Sequence, residues 1–104
     1  RLDSTKVLGE ALAACFQPPR LWINSSSATI YRHAEDRAMD ESTGELGEGF
    51  SVDVCQRWEQ TFFEAPTPDT VRRVALRMAI VLGRHGGALV PLRTLARLGI
   101  GVTL

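Results

Sequence analysis

The sequence predicts an α/β fold, a portion of a doubly wound parallel sheet with about two strands and three helices. Apolar residues recur at helical spacing in some stretches and at strand spacing in others, and the two kinds alternate. The resulting order is helix, strand, long loop, helix, strand, helix, which suits right-handed crossovers between parallel strands. The later strand-like run is apolar on both of its alternating sets, as a strand covered on both faces would be.

Val7, Leu8, Ala11, Leu12, Cys15 and Phe16 form the stripe of an amphipathic helix over residues 4–16, with Asp3 or Ser4 as N-cap. Pro18 and Pro19 end it, because proline lacks the amide that a helix uses. Leu21-Trp22-Ile23-Asn24 is β-prone and opens into Ser25-Ser26-Ser27, a strand whose carboxyl end carries hydroxyls. Residues 34–49 hold six acids, one arginine and three glycines with almost no apolar period, and predict an exposed loop that packs little. Helical spacing returns at Val54, Cys55, Trp58, Phe62 and Phe63, giving a helix over 51–64 closed by Pro66 and Pro68.

Val74, Leu76, Met78, Ile80 and Leu82 then alternate with Ala75, Arg77, Ala79 and Val81, which predicts a strand over 74–82. Gly83, Gly86 and Gly87 make a turn. Leu89, Leu92, Leu95, Ala96 and Leu98 predict a final helix with Pro91 tolerated in its first turn. Two strands are too few for an independent sheet, so further strands are expected from a longer chain or from another copy. Arg1 stands where a Met would begin a protein, and helical spacing follows almost at once, which also points to sequence upstream.

The totals narrow the function. Hydrophobic residues make up 44% and charged ones 23% of the 104 residues, so the composition is that of an ordinary globular domain. Twelve basic residues offset twelve acidic ones, and nothing calls for a nucleic acid or another polyanion. The balance hides an asymmetry. No acid follows Asp69, whereas Arg72, Arg73, Arg77, Arg84, Arg93 and Arg97 all do, either on solvated faces or with one of them at a phosphate. Cys15 and Cys55 stand far apart with no zinc-like spacing, which fits a reducing cytoplasm and no metal. No run approaches the roughly 20 apolar residues of a membrane span.

Ser25-Ser26-Ser27-Ala28-Thr29-Ile30-Tyr31 follows a strand directly, and ligands of open α/β sheets sit outside the carboxyl ends of strands. A serine there can donate a hydrogen bond to a substrate oxygen whose charge changes during reaction. The competing reading is a plain turn, since serines cap and turn without any further role.

Asn24-Ser25-Ser26-Ser27-Ala28-Thr29-Ile30-Tyr31 resembles the SSSATVYG segment of nucleotide-sugar epimerases and other extended short-chain dehydrogenase/reductases. Phe50-Ser51-Val52-Asp53-Val54-Cys55, Trp58-Glu59 and the stretch from Ala75 through Gly83 with Gly86-Gly87 are similar to the atypical epimerase branch of that superfamily. The resemblance spans essentially the whole chain. It implies that residues 1–104 are the second half of an NAD(P)-binding Rossmann domain, with NADP(H) the favoured cofactor and the missing first half required for binding. By the same resemblance Ser27 is the active-site serine, Ser25 and Ser26 lie along the cofactor edge, and Ile80, Val81 and Leu82 form the nicotinamide-side segment. A nucleotide-sugar or small carbonyl or hydroxyl substrate is implied, and a homodimer is compatible with the branch.

The departures bear on chemistry. The superfamily's usual tyrosine and lysine fall on Ser51 and Cys55 when its following glutamate is placed on Glu59. A catalytic tyrosine needs its phenol pKa brought down from about 10 by a neighbouring ammonium, and neither Ser51 nor Cys55 reproduces that pairing. Two functions therefore stand: an NAD(P)-dependent epimerase or reductase, and a cofactor-binding or regulatory protein that has lost catalysis.

Other motifs carry less. Gly44-Glu45-Leu46-Gly47-Glu48-Gly49 has glycines, but its glutamates would repel a phosphate and no strand precedes it. Gly83-Arg84-His85-Gly86-Gly87 lacks the Lys-Ser/Thr of a phosphate loop. His33 and His85 suggest a hydrolase with Ser27 only if they converge, and no nucleophile elbow is present. Cys55 on an apolar helix stripe reads first as a packed thiol.

Overall fold

The computed structural model describes residues 1–83 and 85–101. In chain order it contains α1 (Leu2–Ala13), β1 (Leu21–Ser27), a 3₁₀ turn at Ala28–Ile30, α2 (Phe50–Phe63), β2 (Arg72–Met78), β3 (Leu82–Gly83), β4 (Gly86–Gly87) and α3 (Leu89–Arg97). β1 and β2 are parallel, in register from Leu21↔Arg72 to Ser27↔Met78. Helix, strand, helix, strand in this arrangement is the α/β unit that the sequence predicts.

α2 is the centre of the core because one of its faces repeats buried positions at Val52, Cys55, Glu59 and Phe62. Phe62 has no exposed surface, and its ring meets Trp22 of β1 edge-on at 4.6 Å between centroids. Burying a side chain of this size contributes about 2–3 kcal/mol. Val52 and Cys55 close the upper end of the core against Ile30.

α1 packs on the same layer through its small residues. Its helix spans Leu2–Ala13 rather than 4–16, and Arg1 stands at the N-cap with no side-chain cap, so neither Asp3 nor Ser4 serves there. Thr5 and Gly9 are its buried residues, whereas Val7 and Leu8 of the expected stripe are exposed. The reason is close approach: a Cβ at Gly9 would lie 2.7 Å from the Cβ of Ala65, and Trp58 Nε1 donates to Thr5 Oγ1 at 2.7 Å. Bulky aliphatic residues cannot occupy so narrow a contact. Cys15 and Phe16 fall beyond the helix, with Phe16 almost fully exposed.

The second strand differs from its predicted span of 74–82 at both ends. It begins at Arg72, whose amide donates to Arg20 O at 3.0 Å, and ends at Met78, where β1 supplies its last partner, Ser27. Leu82 and Gly83 instead pair with Gly87 and Gly86 in a minimal antiparallel hairpin. Gly87 sits at φ +74° and Gly83 lies close to Gly86 O, so the turn exploits residues without a Cβ. Among the described residues the expected cover on both faces is found on one face only. Leu21, Ile23, Leu76 and Met78 are exposed on the face opposite the helices.

The acidic segment packs more than its composition suggests. Tyr31 bridges Leu46 in antiparallel fashion, Arg32 N–H donates to Glu45 O at 2.9 Å, and Gly47 N–H donates to Ile30 O at 2.9 Å. Arg32 also binds Asp36 and Glu45 through its side chain, and Arg37 binds Glu45. The segment is thus folded back on the end of β1. α3 has no buried residues, with Pro91 inside its first turn as expected. No helix among the described residues is long and apolar enough to cross a membrane.

Candidate functional site

The carboxyl end of β1 organises the site. Ser27 leaves the strand with extended backbone and caps the 3₁₀ turn, its Oγ accepting from Thr29 N at 3.2 Å and lying 2.8 Å from Thr29 Oγ1. Ser27 therefore has a turn role, and it also lines an open hollow of about 440 Å³ with Arg1, Thr29, Phe50, Ser51, Val54 and Cys55. Ser27, Ser51 and Cys55, the three residues that the sequence resemblance singles out, thus line one hollow. Ser51 is exposed on the first turn of α2, while Cys55 is 4% exposed and packs in the core.

Ser25 and Ser26 point to opposite sides, as successive strand residues must. Ser25 is exposed on the face away from the helices. Ser26 is buried, and its hydroxyl donates to Glu59 Oε1 at 2.5 Å. Its side chain is committed inward, to Glu59. Ile80, Val81 and Leu82 lie just past β2 and are 70%, 67% and 59% exposed, a row of uncovered apolar residues beyond the carboxyl end of the sheet.

Sequence reasoning passed over the strongest polar cluster. Glu59 lies on the buried face of α2, and Arg77 reaches it from β2, Nε donating to Oε1 at 2.9 Å and Nη2 to Oε2 at 2.7 Å. The remaining guanidinium nitrogen, Nη1, donates to Tyr31 Oη at 2.7 Å. Arg77 holds the Glu59 carboxyl below the usual glutamate range, with Ser26 adding to the effect and burial opposing it. The same pairing raises the already high pKa of Arg77. A two-pronged guanidinium–carboxylate contact fixes both groups in orientation as well as in charge. The sequence signal was available: one acid and one base, each set inside an otherwise apolar period.

The arginine excess in the second half is partly structural. Arg73 Nη1 donates to Phe63 O at 2.5 Å and to Ala65 O at 3.1 Å, occupying carbonyls at the end of α2 where a cation is favoured. Arg72, Arg93 and Arg97 are exposed, and Arg84 lies outside the described residues. His33 is exposed and faces Glu35 rather than Ser27, and His85 is exposed on the hairpin. The glycine-rich end of the acidic loop has two of its amides already engaged, Gly44 N–H donating to Asp40 O and Gly47 N–H to Ile30 O. Among the described residues no group of three or more His, Cys, Asp or Glu is placed to hold a metal.

A larger trough of about 820 Å³ runs beside β2, floored by Phe63, Val74, Ala75 and Leu76 and walled by the acidic segment. Its guanidiniums already have acidic partners: Arg32 and Arg37 bind within the segment and Arg77 binds Glu59. Among the described residues β2 pairs with β1 on one edge only, and Val74, Ala75, Leu76 and Arg77 of β2 line the trough.

No protein-family model matches the chain. It is 32% identical over 102 residues to the bovine epimerase family protein SDR39U1, and 31% identical to the human protein of that name, in each case over 97% of this chain and 34% of the relative. It spans about a third of the length of the curated relatives it matches. The crystal structure of human SDR39U1 with NADPH superimposes with a TM-score of 0.81 at 31% identity, over 96% of this chain and 33% of that one. A nucleoside-diphosphate sugar epimerase from Corynebacterium glutamicum superimposes with a TM-score of 0.76 at 31% identity, over 92% of this chain and 21% of that one. With the serine strand, the parallel register and these likenesses in agreement, the chain belongs to the epimerase-like, atypical branch of the short-chain dehydrogenase/reductase superfamily.

Proposed function

We propose that residues 1–104 form the second half of an NADPH-binding Rossmann-like domain in an epimerase or reductase acting on a nucleotide sugar or a small carbonyl or hydroxyl compound. The observation that carries this reading is the shared hollow of Ser27, Ser51 and Cys55 at the carboxyl end of a parallel strand. The NADPH in the human relative supports the cofactor.

In this reading the cofactor lies across the strand ends, with Ser25 and the backbone of Ser26 along its edge. The exposed row Ile80, Val81 and Leu82 meets the nicotinamide side. When bound, the cofactor supplies hydride transfer. Ser27 donates a hydrogen bond to the reacting oxygen of the substrate, Ser51 stands at the position of the usual proton donor, and Cys55 closes the wall behind it. The first half of the domain completes the sheet on its open edges, covers Leu21, Ile23, Leu76 and Met78, and brings the pyrophosphate site. Ser27→Ala in the full-length protein tests this assignment: a loss of turnover is expected, and unchanged turnover counts against it.

A second reading follows from Ser51 and Cys55. Cys55 is buried and carries no ammonium, so the tyrosine–lysine pairing has no counterpart in this hollow. A protein that binds NADPH and turns nothing over, serving as a cofactor-dependent regulator, is consistent with that composition. A panel of carbonyl compounds and sugar nucleotides separates the two, because only the enzyme consumes or produces reduced cofactor.

A further inference from the structure

We propose that Glu59 and Arg77 are positioning residues, which hold Tyr31 in place and through it the segment that carries Ser51 up to Ser27. Ser26 and Arg77 are partners in the β1–β2 register, so their side chains leave the sheet side by side on the α2 face. Glu59 receives both. With two nitrogens spent on that carboxylate, the fork of Arg77 has one direction left for Nη1, and Tyr31 Oη lies along it. The guanidinium carbon also sits 5.1 Å from the centroid of the Tyr31 ring.

Tyr31 in turn is the anchor of the returning chain. Its backbone bridges Leu46, and the flanking amides of Arg32 and Gly47 donate to Glu45 O and Ile30 O. Its ring lies against Gly44, where an added Cβ would come within 2.4 Å of Cε1. Soon after Gly47 the chain reaches Gly49, at φ +104°, and enters α2 at Phe50. Ser51 follows, lining the hollow with Ser27. The contacts form a closed circuit: β1 to Glu59, Glu59 to Arg77, Arg77 to Tyr31, and Tyr31 along the returning segment to Ser51. Lysine at position 77 keeps the charge but lacks the fork, so it cannot hold Glu59 and Tyr31 at once.

The consequence for cofactor affinity rests on the function proposed above, whereas the positioning itself does not. The experiment therefore reads both in the full-length protein, with Tyr31→Phe, Arg77→Lys and Glu59→Gln. Tyr31→Phe keeps the ring and removes only the hydroxyl. Amide hydrogen exchange at Arg32 and Gly47 is expected to quicken about tenfold in Tyr31→Phe and Arg77→Lys, with the β1 and β2 amides unchanged. NADPH affinity is expected to fall by about threefold to tenfold in the same variants. Unchanged exchange at Arg32 and Gly47 overturns the proposal, even if NADPH affinity falls. Faster exchange throughout the sheet in Tyr31→Phe also overturns it, because the contact would then serve the whole fold. If the unaltered protein fails to bind NADPH, the cofactor reading falls and the exchange pattern still decides the positioning.

Discussion

Ser26 and Arg77 face one another across the β1–β2 ladder, and both bind the carboxylate of Glu59. One acid from α2 thereby ties together two strands at the end of the sheet where the candidate site lies. Glu59 is 7% exposed, and the Arg77 side chain 27%, so the pair is partly desolvated. Removing one partner leaves the other in a poorly solvated setting. We expect Glu59→Ala to destabilise the protein by about 2–4 kcal/mol, toward the lower end for buried pairs because Arg77 keeps some water. Urea denaturation checks the value.

The same group gives a pH dependence with a defined sign. Its folded pKa is lowered, chiefly by the Arg77 hydrogen bonds, from an ordinary value of 4.5. A depressed carboxylate pKa contributes stability that is present above the unfolded value and is lost as pH falls through the folded one. Asp36, Asp40 and Glu45 are lowered too, the first and last chiefly by Arg32 and Asp40 chiefly by the Thr43 amide. Comparison with Glu59→Gln separates them. The melting-temperature gap between the two proteins should be constant well above pH 4.5 and close progressively below it.

Phe62 is the best-buried side chain of the core, between Trp22 and Phe63. Phe62→Ala is expected to cost about 3–5 kcal/mol through lost burial and the cavity left behind. Phe63→Ala, at a half-exposed site, should cost less than half as much in the same denaturation assay.

Much of this was legible in the sequence, for physical reasons that differ by element. α2 follows from an apolar helical period closed by Pro66 and Pro68, and the serine strand from a β-prone run that begins just after Pro18-Pro19. α1 misled because its stripe of Val7 and Leu8 is the more hydrophobic face, yet the helix packs through Thr5 and Gly9, where the backbone approaches closely. The end of β2 was hidden because its length is set by β1, a partner distant in sequence, and periodicity has no access to pairing. Ser27, Ser51 and Cys55 were nameable only by resemblance, and the fold brings them to one hollow. Tyr31, Glu59 and Arg77 went unread as a group because their contacts span 18 to 46 residues of sequence.

Gly9 offers a test of the close helix contact. Alanine improves helix propensity by about 1 kcal/mol, but its methyl would press on Ala65. Gly9→Ala is expected to be destabilising by about 1 kcal/mol net, and Gly9→Ala with Ala65→Gly to recover part of the loss. Thermal melts of the single and double variants measure the recovery.

In the proposed function this chain supplies one half of an NADPH-binding domain. Calorimetric titration of NADPH into the full-length protein and into the 104-residue chain tests it directly. The full-length protein is expected to bind and the 104-residue chain alone is not. Absence of binding by the full-length protein at millimolar NADPH would contradict it, as would equal affinity of the chain alone.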